Sequence, residues 1–272
     1  MKSKLNWLLP CLGLMLLFIA CTPENKELGA LLDKSALKFT VTQDPSNSNK
    51  YILTSQTPNA APYWVTPLGR STKMVDTIDI PFPGTDTIYY SVESAGGIVT
   101  ADPYVFKVTT LDKDYVSSTM WTNLTGGYGN SKTWVLDIDA NGVSKYFNGP
   151  IYFAGANYSW EWDAGWASWI LPVGNYGTMT FDLKGNANFS SSNPMLGTSA
   201  TGTFMLYTDA SEISTFGAQL LHDNSQGASV ANWNTKLLIK TLTSDQMQII
   251  AVRNDGVWLI YNYITQSYYN SH

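Results

Sequence analysis

From about residue 36 onward the apolar and polar positions alternate with a period of two in short runs. No long segment holds the 3.6-residue period of a helix. In the first part these runs fall at 37–42, 51–54, 63–65, 77–80, 87–92 and 104–109, with the loop at Asp44-Pro45-Ser46-Asn47-Ser48-Asn49 and the turns at Pro81-Phe82-Pro83-Gly84 and Ala95-Gly96-Gly97 between them. In the second part they fall at 132–137, 143–147, 151–153, 178–183, 187–189, 202–207, 219–221, 236–241, 247–252 and 257–263. Asp182-Leu183-Lys184-Gly185-Asn186-Ala187 and Asn254-Asp255-Gly256 read as hairpin turns. The pattern predicts an all-β protein. An immunoglobulin-like sandwich over 36–112 is followed by a larger jelly-roll-type β-sandwich over 115–267, with the polar Leu111-Asp112-Lys113-Asp114 as linker.

The first residues obey another rule. Lys2 and Lys4 precede an apolar run from Leu8 to Ala20, which is too short for a comfortable membrane span and reads as a secretory signal over 1–20. Cys21 closes it, and residues 21–35 form a polar tether. Cys11 and Cys21 are the two cysteines of the chain, so residues 22–272 have no disulfide, no cysteine-type zinc site and no cysteine nucleophile. The 16 Lys and Arg against 21 Asp and Glu give a net charge of −5, which loss of Lys2 and Lys4 with the signal makes more negative. A nucleic-acid partner needs clustered cations, and none is expected.

The chemistry concentrates between Tyr158 and Trp169. Trp160, Trp162, Trp166 and Trp169 are four of the ten tryptophans, mixed with Glu161 and Asp163. Indole joins a large apolar face to one N–H donor, which suits the apolar C–H faces and hydroxyl rims of sugars. As a strand, Trp160 and Trp162 share one face and Glu161 and Asp163 the other. As a helical turn, Trp162, Trp166 and Trp169 line one face. Tyr158, Trp160, Trp162, Trp166 and Trp169 are therefore candidate stacking residues, with Glu161 and Asp163 as acceptors for sugar hydroxyls. The competing reading is that these rings are core.

Three resemblances bear on these residues. Phe18-Ile19-Ala20-Cys21 resembles a bacterial lipobox, which implies cleavage before Cys21, acylation of its thiol and anchoring in an outer membrane. Asp44-Pro45, Tyr63-Trp64, Gly84, Ser91-Val92 and Gly96-Gly97 resemble PKD domains, immunoglobulin-like spacers of Bacteroidetes surface lipoproteins. Here Trp64-Val65-Thr66-Pro67-Leu68-Gly69 replaces the usual Trp-Asp-Phe-Gly-Asp-Gly. Trp121, Leu124-Thr125-Gly126-Gly127, Lys132-Thr133-Trp134-Val135-Leu136-Asp137 and Gly149-Pro150 resemble the C-terminal halves of glycan-binding lipoproteins from polysaccharide-utilisation systems. The resemblance implies a cell-surface protein that holds a polysaccharide without cleaving it, beside an outer-membrane importer and neighbouring lipoproteins. An adhesion or scaffolding lipoprotein is the alternative.

Other motifs are weaker. Gly126-Gly127-Tyr128-Gly129-Asn130-Ser131-Lys132-Thr133 nearly spells a phosphate loop, but Ser131 replaces the last glycine and a strand comes next where a helix is required. Asp137-Ile138-Asp139-Ala140-Asn141-Gly142 matches the first half of a calcium loop, yet Asn148 stands where a bidentate Glu belongs. An Asn-Gly hairpin turn is the simpler reading, no cofactor is expected, and structural calcium stays open. Glu161-Trp162-Asp163 resembles part of a family-16 glycoside hydrolase motif whose third carboxylate would fall on Gly165. Retention requires two carboxyls about 5–5.5 Å apart, and no catalytic residue is assigned. His222 has no acid–nucleophile arrangement beside it, and no Gly-x-Ser-x-Gly elbow occurs.

Overall fold

The computed structural model describes residues 29–163 and 165–272. The signal expected over 1–20 and Cys21, the expected site of acylation, lie outside the described residues. Among those described, no helix is long and apolar enough to cross a membrane. The protein is all-β. Two compact units divide it, one of residues 29–41, 53–76 and 87–104, the other of 42–52, 77–86, 105–163 and 165–272.

Strands β1 (Phe39–Asp44), β2 (Asn47–Ser55), β3 (Ala61–Thr66), β4 (Gly69–Ser71), β5 (Val75–Asp79), β6 (Gly84–Ser94), β7 (Gly97–Thr100) and β8 (Tyr104–Val108) form two sheets. Their orders are β1-β2-β5 and β4-β3-β6-β7, with β8 also on β6. In the first unit the core is aromatic: Trp64 packs edge-on to Phe39 at 5.8 Å and against Tyr90 at 4.4 Å. The Trp64 indole N–H reaches the carbonyl of Lys73, and the Tyr90 hydroxyl bonds Ser55 and Thr57, so no polar tip in this core is wasted. This is the β-sandwich that the alternation predicts.

The second unit departs from the expectation. Helix α1 (Thr119–Thr125) leads into β9 (Ser131–Leu136), β10 (Ile151–Ala154) and β11 (Glu161–Trp162). Then come β12 (Thr178–Asp182), β13 (Asn188–Asn193), β14 (Thr198–Tyr207), β15 (Glu212–Phe216), β16 (Leu237–Leu242), β17 (Gln246–Val252) and β18 (Trp258–Thr265), ending in α2 (Gln266–Ser271). From β12 to β18 each strand pairs antiparallel with the next in sequence. β12 also pairs β9, and β18 closes on β9 through Tyr263↔Leu136 and Thr265↔Trp134. The sheet is thus barrel-like and sequentially wound, and the jelly roll expected here is corrected. A jelly roll needs strands that skip their sequence neighbours, whereas most links in this run are tight turns. Alternation reports which residues face inward and carries no information on which strand is next door.

Eight strands enclose a space that side chains can fill. Trp134, Met179, Phe181, Phe189, Phe204, Leu206, Ile213, Met247, Ile249, Leu259, Tyr261 and Tyr263 occupy it, all nearly inaccessible. One end is closed by α1, which lays Trp121 and Leu124 on the core; Lys132 Nζ bonds the carbonyls of Asn123 and Ser244 there. The other end is closed by the segments carrying Ile170, Leu171, Leu220, Leu221 and Trp233. Run 219–221, expected as a strand, belongs to this plug, and run 143–147 is irregular. Leu111, expected in a polar linker, is buried in the same core. The missed strand β15 carries buried Ser214 and Thr215, whose polarity hides its inward face.

The plug is tied down by Asp223, which is fully buried. Its carboxylate accepts the N–H groups of Ser225, Gln226 and Gly227 and the hydroxyl of Tyr261. Next to it, His222 stacks on Trp233 at 4.2 Å and 5° and is half-buried. Burial lowers its pKa from the ordinary 6.5, and its contact with the Asp223 carbonyl opposes this only in part.

Two measurements test this packing. Asp223→Ala orphans four donors, of which the Gly227 N–H and the Tyr261 hydroxyl are buried, and is expected to cost about 3 kcal/mol, against about 1 kcal/mol for Tyr261→Phe; urea unfolding midpoints at constant slope measure both. The second concerns acid. Because His222 is held neutral in the fold, the unfolded chain takes up its proton first. Its contribution to stability is complete above about pH 6.5 and is lost as the pH falls below that toward its folded pKa. Against wild type, His222→Phe should flatten this limb of the stability–pH curve.

Candidate functional site

The tryptophan stretch sits where β10 and β11 extend the sheet beyond the plugged end of the barrel. Register pairs Phe153 with Trp162 and Ala154 with Glu161, and the Gly155 N–H bonds the Trp160 carbonyl at 2.9 Å. Trp160 and Trp162 therefore share the face that carries Phe153, as the strand reading expects. Phe153 belongs to the buried core, so this face is the inner wall of the barrel prolonged outward.

Trp162 stacks on Phe153 at 5.4 Å and 28°, and Trp169 stacks on Trp162 at 5.6 Å and 17°. Three rings form a stepped ledge that is rooted in the core and ends in open solvent. Trp160, Trp162 and Trp169 are exposed at 47%, 46% and 58%, far from the sealed core that the competing reading requires. Trp160 lies across Gly155, where an added Cβ would stand 2.3 Å from Ser159 Oγ and 2.5 Å from Trp160 Nε1; a glycine there leaves room for the hydroxyl and the indole.

The remaining expected residues play supporting parts. Trp166 is half-buried on the core, and its N–H is spent on the Leu171 carbonyl at 2.9 Å. No helix forms among the described residues of 161–170, so the helical reading does not hold: Trp162 and Trp169 meet across a bend, and Trp166 turns inward. Glu161 lies on the face opposite the indoles, where Lys240 Nζ pairs with it at 3.3 Å. That places its carboxylate behind the ledge, on the face that the strand reading gives it, and half-exposed there. Lys240 also bonds the Tyr152 hydroxyl and stands 4.3 Å from the centre of the Tyr158 ring. Tyr158 packs edge-on to Trp258 at 5.3 Å, and burial is the main cause raising its pKa. Asn157 and Tyr158 both have left-handed backbone, at φ 53° and 57°. Two such residues in succession are costly without glycine, and the Lys240–Tyr158–Glu161 clamp holds them. Asp163 accepts the N–H of Gly165 at 3.0 Å and the amide of Asn148 at 3.1 Å, fixing the bend between Trp162 and Trp169.

Polar groups that the sequence did not single out lie beside Trp169. Gln226 Nε2 reaches the Trp169 carbonyl at 3.5 Å, and its Oε1 accepts from Arg253, which also pairs with Asp255 at 2.7 Å. Arg253 Nε is buried with no acceptor among the described residues, a donor in need of a partner. Nothing in the local sequence distinguishes this arginine from a solvated one.

The other motifs resolve into structure. Helix α1 ends at Gly126 and the chain enters β9, the reverse of the strand-to-helix order of a phosphate loop. Both Asp137 oxygens accept backbone N–H groups, from Lys145, Tyr146 and Phe147, and Asp139 accepts those of Asn141 and Val143. These carboxylates face donors, an arrangement that organises the loop itself. No protein-family model matches the chain, and no curated protein matches it.

The seat of Trp160 is directly testable. Gly155→Ala is compatible with the backbone but takes space that the Ser159 hydroxyl and the indole share. Stability should change by no more than about 1 kcal/mol, while acrylamide quenching of the tryptophan emission should increase. In a Trp160→Phe background the same substitution should leave quenching unchanged.

Proposed function

We propose that this protein is a lipid-anchored cell-surface protein of an outer membrane that binds a polysaccharide without cleaving it and presents it to partner proteins for uptake or degradation. The observation that carries the reading is the Phe153–Trp162–Trp169 stack. A large aromatic surface exposed to water is retained against its hydration cost when it has a partner to cover. Here it is rigid, because each ring rests on the next and the innermost rests in the core. A rigid ring loses little conformational entropy when a sugar lies on it. The stepped arrangement, with Trp160 alongside, offers successive platforms to the units of a chain. Gln226, Arg253 and Asp255 supply donors and acceptors for hydroxyls at its edge.

The same geometry argues for holding over hydrolysis. Glu161 is engaged with Lys240 behind the ledge and Asp163 with Gly165 and Asn148, so neither is poised as one half of a facing acid–nucleophile pair.

Affinity electrophoresis in gels containing a panel of neutral and acidic polysaccharides tests the reading. Wild type should be retarded by at least one. Each indole stacked on a sugar contributes on the order of 1 kcal/mol, so Trp162→Ala/Trp169→Ala should weaken binding by about thirtyfold. Equal retardation of the two proteins, or capture of protein partners with no retention by any glycan, would replace this reading with a scaffolding one.

A further inference from the structure

We infer that the barrel carries a second ligand site, a groove for a neutral sugar residue beneath α2, formed by uncommitted side-chain amides and hydroxyls over an apolar floor. It shares no residue with the tryptophan ledge and stands or falls separately from it. The groove measures about 490 Å³, within the roughly 300–1,000 Å³ range of small-molecule sites. It opens where β9 and β12 part company: their pairing ends at Trp134↔Met179, and beyond it 174–177 bends away.

The character of the lining sets the ligand class. Leu136, Ile138 and the ring of Tyr176 supply apolar surface. Around it stand the amides of Asn175, Gln266 and Asn270 and the hydroxyls of Thr178, Ser192 and Tyr269. The Asn175 carbonyl oxygen takes the Gly177 N–H; the Asn175 amide N–H₂ and the other five polar groups hold no hydrogen bond among the described residues. Asp137, Asp223 and Asn262, by contrast, are tied into turns and strand exchanges and have no such freedom. A concentration of free donors and acceptors in one concave place is what orients a polar ligand.

Among the described residues, no charged side chain lines the groove. The nearest charges cancel among themselves: Asp139 takes the N–H groups of Asn141 and Val143 and lies 3.9 Å from Lys145, whose ammonium faces the Tyr269 ring. Burial, then Asp139 and Asp137, raise the Tyr269 pKa, so its hydroxyl stays a neutral donor. An acidic ligand would meet no cation and a basic one no free carboxylate. A pyranose, with one C–H face and a rim of hydroxyls, satisfies the floor and the amides together.

The experiment tracks the side-chain amides of Asn175, Gln266 and Asn270 by NMR in the full chain. Neutral hexasaccharides of glucose, mannose and xylose are titrated in turn, with the galacturonic acid hexamer as the charged counterpart. The expected result is saturable shifts of these amides with a neutral probe, preserved in Trp162→Ala/Trp169→Ala. Binding at this site should weaken about tenfold in Gln266→Ala/Asn270→Ala, and similarly in Thr178→Val/Ser192→Ala should the first variant not fold. Still amides with every neutral probe would overturn the inference, as would equal response to the galacturonate. Loss of the shifts in the tryptophan variant would mean that the amides only sense the ledge. Shifts at the indoles alone would leave the ledge reading standing and remove the groove.

Discussion

The second unit is organised by a demand placed on one edge of β18. Along its first half that edge is paired by β10, along its second half by β9, and the chain between those two partners must leave the sheet and come back. Asn262 marks the exchange. Its N–H bonds the Pro150 carbonyl and its amide the Gly149 carbonyl, while its own carbonyl takes the Asp137 N–H. Gln248 from β17 holds the amide in place at 2.8 Å. Both ends of the excursion from 137 to 150 are therefore fixed at one buried residue, and Asp137 gathers the excursion by accepting three of its N–H groups. Everything that makes β10 flare outward, and with it the ledge on β11, derives from that exchange of partners.

This explains what the amino-acid sequence could and could not reveal. Alternation located β9, β12, β16 and β17 to within a residue or two because their inward and outward positions differ in burial, and β18, buried on both faces, stood out as a nearly continuous apolar and aromatic run. It misread 143–147, where the apolar Val143 and Phe147 alternate beside an Asn-Gly turn. There the Asp137 carboxylate, a long-range acceptor invisible to local pattern, competes for the backbone and wins. It misread 219–221 as well, since Leu220 and Leu221 are apolar for the sake of the plug. Strand content was legible; winding order was not, because a strand's neighbours are chosen by loop geometry and by partners far along the chain.

The candidate site shows the same division. Residue types announced an aromatic cluster, and the strand period placed Trp160 and Trp162 on one face with Glu161 behind. The stack of Trp162 on Trp169 is brought about by the Asp163 bend and not by a helix. That Trp166 faces inward depends on the Leu171 carbonyl waiting for its N–H. Lys240 and Arg253 were unreadable: each is distant in sequence, and each gains its role only when the barrel sets it beside the ledge.

Closure of the barrel has one more consequence. Open sheets end in rows of unsatisfied amides that invite pairing with a neighbouring molecule. Here the circuit of strands consumes those rows, and the free margin of the flared branch is short, the two residues of β11 and the first two of β10 among the described residues, with bulky indoles at its tip. The barrel itself therefore offers a neighbouring molecule little backbone to zip onto, and at this end of it the sticky surface is confined to rings that prefer a ligand to another copy's backbone.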